Sequence, residues 1–225
     1  MVIKLVAFDM DGVLTKHASS WRFVHDVLGV NNNHNLKRYR EGLISYQDFL
    51  NSDIELWVEK FPGIRKIDIM QILSSVPIRD DISPAISLLR SAGAMVVIIS
   101  GGISWLTDIL NEKAEFDQRY ANEILIDSDG LILPEGKVVV DPKRKDAILR
   151  YVQEELNIDR DETASVGDSN LDTAMFDLSS LGIFFSYNDL SGDQMPPSSD
   201  IIEKTADVCI RSGRLMDIYR YIFMK

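Results

Sequence analysis

The chain reads as an α/β protein: a parallel sheet with helices on both faces, plus a small helical domain inserted after the first strand. Three features predict this. Val2 to Phe8 is an apolar run with the length and β-branched content of a buried strand. From Ser83 onward, strand-like and helix-like stretches alternate, as they do in a parallel sheet. Between these regions the residues show helical periodicity and no strand pattern. The expected division is therefore 1–15 with 78–225 for the sheet domain and 16–77 for the insert.

The first strand ends in Asp9 and Asp11, with Gly12 placed to let the chain turn. Ser19 or Ser20 can cap a helix through Trp21, Val24 and Leu28 that Gly29 stops. Asn33 to Arg40 is short and polar, and Gly42 ends it. Ser45 with Asp48 resembles a capping box, opening a helix that buries Phe49, Leu50, Ile54, Trp57, Val58 and Phe61 and stops at Pro62-Gly63. Ile67, Met70, Ile72 and Leu73 give another amphipathic helix, ending near Pro77.

In the sheet domain, Ser83-Pro84 starts a helix and Gly93 ends it. Ala94 to Ile99 is a strand, followed by Ser100-Gly101-Gly102 and a helix over Ile103 to Lys113. A strand at Tyr120 to Ile126, a turn at Asp127 to Gly130, and short strands near Leu131 and Val138 to Val140 suggest a hairpin. Asp141-Pro142 caps a helix to about Leu156, and Thr163 to Val166 is a short strand. A helix over Asp172 to Ser179 leads to a strand at Gly182 to Ser186. Residues 188 to 200 read as a surface loop, and a strand at Asp207 to Ile210 with a helix from Arg214 to Phe223 closes the chain.

Composition narrows the function. With 225 residues, 45% hydrophobic and 26% charged, the chain can bury one full core and a subsidiary domain. Its net charge of −11, without a basic cluster, argues against nucleic acid or anionic membrane as a partner. An anionic substrate would then need a local positive centre, either a metal or a placed lysine. The single cysteine, Cys209, excludes an internal disulfide framework and fits a reducing cytoplasm; its strand-like setting predicts a packed core thiol. The N-terminus has no signal-peptide pattern, and no apolar run approaches the ~20 residues that span a bilayer.

Ligands of an open parallel sheet bind outside the carboxyl ends of its strands, where Asp9 and Asp11 fall. Two such acids repel, and a divalent cation relieves the repulsion. Taken alone, Asp-x-Asp-Gly fits an ordinary turn as well as a site. Three further loops fall on the same edge. Ser100-Gly101-Gly102 offers a hydroxyl and backbone N–H groups at a helix start, suited to a phosphate. Lys145 lies early in a helix, beside Lys143 and Arg144, which by themselves read as a solvated basic run. Asp168 and Asp172, after Gly167, are four residues apart and can face one way, although helix capping is the simpler use.

The ordered set of Asp-x-Asp, Ser-Gly, Lys and Gly-Asp-x3-Asp resembles the haloacid dehalogenase superfamily of phosphohydrolases, and most of all its phosphoserine phosphatase-like branch. Phe-Asp-Met-Asp-Gly-Val-Leu-Thr, Val-Val-Ile-Ile-Ser-Gly-Gly, Lys-Asp-Ala-Ile-Leu and Val-Gly-Asp-Ser-Asn-Leu-Asp-Thr-Ala-Met-Phe carry the resemblance across nearly the whole chain. It implies a Rossmann-like core with a helical cap, and a Mg²⁺-dependent phosphatase acting on a small phosphorylated metabolite. Asp9 would be the nucleophile and Asp11 the general acid and base. Mg²⁺ would bind the Asp9 carboxylate, the Asp11 carbonyl and Asp168, with Asp172 orienting that shell. Ser100, the Gly101 N–H and Lys145 would hold the phosphoryl oxygens.

The sequence departs from that branch where the substrate's amino-acid part would bind. Ala18 stands in place of a glutamate that receives an ammonium, and Asp53 in place of an arginine that receives a carboxylate. Leu171 replaces a common asparagine, and Lys16, His17 or Arg38 are available as substitutes. A phosphotransferase or mutase on the same scaffold, and a non-catalytic binding module, are the alternative readings.

Overall fold

The opening apolar stretch forms β1 (Leu5–Phe8), and all four of its residues are buried. In the computed structural model, which describes residues 2–186 and 200–224, six more strands join it. They are β2 (Met95–Ile103), β3 (Gln118–Ile126), β4 (Ile132–Lys137), β5 (Thr163–Gly167), β6 (Leu181–Phe185) and β7 (Val208–Ile210). The order across the sheet is β4-β3-β2-β1-β5-β6-β7, parallel throughout except for the antiparallel β3–β4 hairpin. β1 is central, so its carboxyl end sits where the chain's path across the sheet changes direction, the usual ligand crevice of such folds.

Helices cover both faces. Val6, Phe8, Val96 and Ile98 pack with α5 (Ile82–Ser91), α6 (Ser104–Lys113) and α10 (Met216–Phe223). Leu5, Ala7, Val97 and Ile99 pack with Leu149 and Val152 of α7 (Lys145–Leu156) and Met175 of α8 (Thr173–Phe176). Both sides of each central strand are thus apolar, which explains the unbroken hydrophobic runs. A further short helix, α9 (Asp200–Thr205), precedes β7.

The chain leaves the sheet at Thr15 and returns at Ile78, two residues that form an antiparallel bridge, and the Lys16 N–H donates to the Pro77 carbonyl at 2.7 Å. Between them lie α1 (Ser20–Leu28), α2 (Asn33–Arg40), α3 (Tyr46–Lys60) and α4 (Lys66–Leu73). Ser19 caps α1 and Gly29 ends it at φ 64°; Ser45 and Asp48 form a reciprocal capping box on α3. α3 lies along β4. Gln47 Nε2 donates to the Gly136 carbonyl (2.8 Å), Asn51 Oδ1 accepts from the Gly136 N–H (3.1 Å), and Gln47 Oε1 accepts from the Val138 N–H (3.3 Å).

Several expectations need correction. β1 begins at Leu5 because its partners on β2 and β5 begin at Met95 and Thr163; Val2 is exposed. Phe61 and Ile67 are exposed, and in α4 Ile69 is buried beside the expected Leu73. α5 starts at Ile82 rather than being capped by Ser83, which places Pro84 at the third helical position, where its missing N–H costs nothing. β2 continues through Ser100-Gly101-Gly102 to Ile103, with a register shift against β3, so this segment is an irregular strand end and not the start of a helix. The second hairpin arm is β4, ahead of Val138. Asp141 caps a short 3₁₀ turn over Pro142–Arg144, and α7 follows it. The helix after Asp172 ends at Phe176, and the last helix starts at Met216. Cys209 is exposed, because it points outward from the sheet's edge strand while Ile210 points in. Of the expected loop at 188–200, Asp200 begins α9 and the remainder lies outside the described residues. Among the described residues no helix is long and apolar enough to cross a membrane.

Candidate active site

Asp9, Asp11, Ser100, Lys145, Asp168 and Asp172 are all buried at the carboxyl edge of β1, β2 and β5 and at the start of α7. The Asp9 backbone N–H donates to Val166 on β5 at 2.9 Å, and Asp9 Oδ1 accepts from the Met10 N–H at 2.7 Å. Lys145, the first residue of α7, brings Nζ to 2.8 Å from Asp9 Oδ2 and 2.6 Å from Asp172 Oδ1. Asp172 is further engaged: its Oδ2 accepts from the Asp168 N–H (3.1 Å), the Ser169 N–H (3.0 Å) and the Ser169 hydroxyl (3.1 Å). One carboxylate therefore fixes both the lysine and the loop that carries Asp168.

Four buried carboxylates share a single buried ammonium. Burial lifts Asp9 to about 6 although Lys145 pulls it down, and burial lifts Asp11 to about 7 against the hydrogen bonds from Ser20. Asp168 is held well above its ordinary value by burial and by the charges of Asp172 and Asp9. Burial alone would lower Lys145, but Asp172 and Asp9 outweigh it and hold the ammonium above its usual range. Carboxylate oxygens of Asp9, Asp168 and Asp172 come within 4.8 Å of one another. This excess of hard oxygen donors in a buried setting fits a divalent cation. The backbone makes room for it: Gly12 has φ +80°, and a Cβ there would stand 1.9 Å from Asp168 Oδ2.

The Ser100 segment closes the other side. Ser100 Oγ accepts from the Gly102 N–H at 3.1 Å, which leaves its hydroxyl proton to be given elsewhere. The Gly101 carbonyl accepts from Trp21 Nε1 (3.0 Å), Tyr46 OH (3.2 Å) and Asn122 Nδ2 (2.9 Å). Asp11 Oδ2 accepts from the Ser20 N–H and hydroxyl, both at 2.8 Å, while Asp11 Oδ1 is buried without a hydrogen-bond partner.

Residues 3–177 match the family model for haloacid dehalogenase-like hydrolases. The chain belongs to that family. Among curated relatives, a probable phosphoserine phosphatase of Schizosaccharomyces pombe is 29% identical over 191 residues, which are 81% of this chain but 61% of that longer protein. The phosphoserine phosphatase of Methanocaldococcus jannaschii is 25% identical over 223 residues, 97% of each chain. A solved phosphoserine phosphatase, described as a phospho-aspartyl intermediate analogue, superposes with a TM-score of 0.73 over 99% of this chain and 100% of its own. At 23% identity that likeness shows a shared fold.

In this hydrolase the residues singled out for substrate choice divide between the turn beside Asp11, where the His17 carbonyl accepts from the Gly12 N–H at 2.8 Å, the body of the insert, and the exposed Leu171. Ala18 is half-buried in the turn before α1. Asp53 is buried within the insert, where its Oδ1 accepts from His25 Nε2 (2.8 Å) and Asn32 Nδ2 (2.7 Å). His25 Nδ1 accepts from Trp57 Nε1 at 2.7 Å, which assigns its proton to Nε2. Lys16 pairs with exposed Asp80, Arg38 bonds Asn35 on the surface, and His17 Nδ1 lies 3.0 Å from the Ser19 carbonyl in its own turn. Leu171 is exposed.

Sequence reasoning missed four residues. Ser20, Trp21 and Tyr46 reach the site from the insert, and buried Arg79 donates to the carbonyls of Gly12 (2.8 Å) and Val13 (2.6 Å), bracing the turn after Asp11. In the sequence Ser20 reads only as a helix cap. Nothing local marks Arg79, whose partners in that turn lie 66 and 67 positions away.

Proposed function

We propose that the chain is a phosphatase that hydrolyses a small-molecule phosphomonoester through an aspartyl-phosphate, with residues 16–77 serving as its cap. The observation that carries this is the pairing of a buried Asp9, fixed by Lys145, with an Asp11 whose Oδ1 is buried and unpaired. An Asp9 oxygen attacks phosphorus as the bond to the ester oxygen breaks, and Asp11 Oδ1 gives that oxygen its proton. Water then attacks the acyl-phosphate and passes a proton to Asp11. The Asp9–phosphorus bond breaks, releasing inorganic phosphate and restoring both carboxyl groups to their starting forms. Ser100, the Gly101 N–H and Lys145 hold the phosphoryl oxygens. Mg²⁺ would be held by the Asp9 and Asp168 carboxylates and the Asp11 carbonyl, and when bound it supplies charge neutralisation at the phosphoryl group. Asp172 supports that shell by fixing Lys145 and the Asp168 backbone.

The named relatives support phosphoester chemistry. Their substrate carries an ammonium and a carboxylate, and this chain has Ala18 and Asp53 where that branch keeps partners for them. Losing such partners lowers specificity steeply. Phosphoserine is therefore expected to be a poorer substrate than amine-free phosphate esters.

Asp9→Asn is the test. The variant should fold like the wild type yet lose hydrolysis of a generic aryl phosphate in the presence of Mg²⁺. Wild-type protein inactive across a broad phosphate-ester panel would overturn the proposal.

A further inference from the structure

We propose that Ser20 and Trp21, adjacent in the first turn of α1, are positioning residues that set the acid–base carboxylate and the phosphate-binding segment together. The proposal rests on the phosphatase reading above and adds two residues to it.

Hydrogen-bond accounting gives Ser20 little freedom. Its Oγ accepts from the Ile103 N–H at 3.1 Å, so the single hydroxyl proton goes to Asp11 Oδ2 at 2.8 Å. The Ser20 backbone N–H donates to the same oxygen at 2.8 Å. Oδ2 thus has two donors, and Oδ1 is left as the oxygen that can carry and transfer a proton. Ser20 is fully buried, and the Gly102 backbone closes in from the β2 side: a Cβ on Gly102 would stand 2.7 Å from both Asp11 Oδ2 and Ser20 Oγ. Free rotation of the Asp11 carboxyl is thereby blocked.

Trp21 does the same for the neighbouring loop. Its Nε1–H is one of three donors on the Gly101 carbonyl, and its ring stacks on Trp57 of α3 at 5.5 Å. Fixing that carbonyl sets the plane of the Gly101–Gly102 peptide, whose N–H meets Ser100 Oγ. One turn of the insert therefore orients groups that arrive on two different strands. When α1 is docked, the acid–base oxygen and the Ser100 hydroxyl are set at once.

The two residues should have different kinetic signatures. The experiment is single-turnover release of leaving group from an alkyl phosphate, which needs a proton, and from p-nitrophenyl phosphate, which does not. Ser20→Ala should slow the alkyl ester about tenfold or more, the rate equivalent of one charge-assisted hydrogen bond. It should change the nitrophenyl ester less than about threefold, with KM little altered, and Ser20→Thr should restore the alkyl rate. Trp21→Phe keeps a ring against Trp57 and loses only the donor; it should raise the KM of both esters and the inhibition constant of inorganic phosphate by equal factors. Equal losses on both esters for Ser20→Ala, or an unchanged phosphate inhibition constant for Trp21→Phe, would overturn the proposal. If Ser20→Ala does not fold, the Trp21→Phe arm decides. Wild-type inactivity on both esters would instead sink the phosphatase reading itself.

Discussion

Lys145→Met removes one charge and little volume from the centre of the site. The wild-type ammonium is 2% exposed and contacts two carboxylates at 2.8 and 2.6 Å. Deleting one partner of a buried ion pair costs about 3–5 kcal/mol when the stranded charge stays ionised. Here the stranded Asp9 can take up a proton instead: already at about 6, it would move higher. The sign follows from that. Lys145 is held above its ordinary value, so it stays charged across the neutral range and does not itself titrate there. Asp9 does titrate, and its folded pKa exceeds the unfolded one, so its ionisation costs stability as pH rises. The deficit of Lys145→Met should therefore be largest near pH 8 and shrink toward pH 5, measured as the difference in melting temperature from wild type. Lys145 is the proposed phosphoryl donor, so its loss should also lower kcat/KM by roughly 10²–10³. Binding of a divalent cation, read by calorimetry, should tighten because a competing positive charge is gone. A variant as stable as wild type near pH 8 and retaining more than about a tenth of its activity would refute the reasoning.

Other outcomes follow from the same geometry. Asp9 and Asp11 sit at about 6 and about 7, above the ordinary 3.8, so metal-free protein should lose stability as pH rises from about 4 to 7. Added Mg²⁺ should accordingly raise the melting temperature more near pH 8 than near pH 5; equal shifts would contradict this. Gly12→Ala adds a Cβ 1.9 Å from Asp168 Oδ2 at φ +80°, so it should cost at least about 1–2 kcal/mol in backbone strain and weaken Mg²⁺ binding at least about tenfold in calorimetry. Asp53→Ala leaves His25 and Asn32 without their acceptor and should lower stability by about 1–3 kcal/mol in denaturant melts. An unchanged melt together with altered substrate preference would make Asp53 a substrate contact instead.

The sheet was legible because its central strands are apolar on both sides, and that pattern survives without knowledge of register. Asp9, Asp11, Asp168 and Lys145 were legible because each sits beside a strand end or helix start that the sequence itself marks. The strand through Ser100-Gly101-Gly102 was not. Glycine lowers strand propensity, and only the neighbouring β3 and the donors on Gly101 hold that segment extended. Arg79 and Tyr46 were hidden for a related reason: their hydrogen-bond partners lie 55 to 134 positions away, and no periodicity encodes such contacts. Cys209 misled because a three-residue edge strand reads as apolar, although only one of its residues faces inward fully.

The contact between α3 and β4 has a consequence for self-association. An open sheet edge offers unpaired N–H and carbonyl groups to any passing strand. The Gln47 and Asn51 amides occupy those groups at Gly136 and Val138, much as a neighbouring strand would, and the opposite edge, β7, offers only three residues. The insert is thus also a guard on the sheet's longer flank. A shortened chain that lacks residues 16–77 would expose β4 along its length. It would be expected to aggregate edge to edge, even though the parallel core beneath has its own apolar packing.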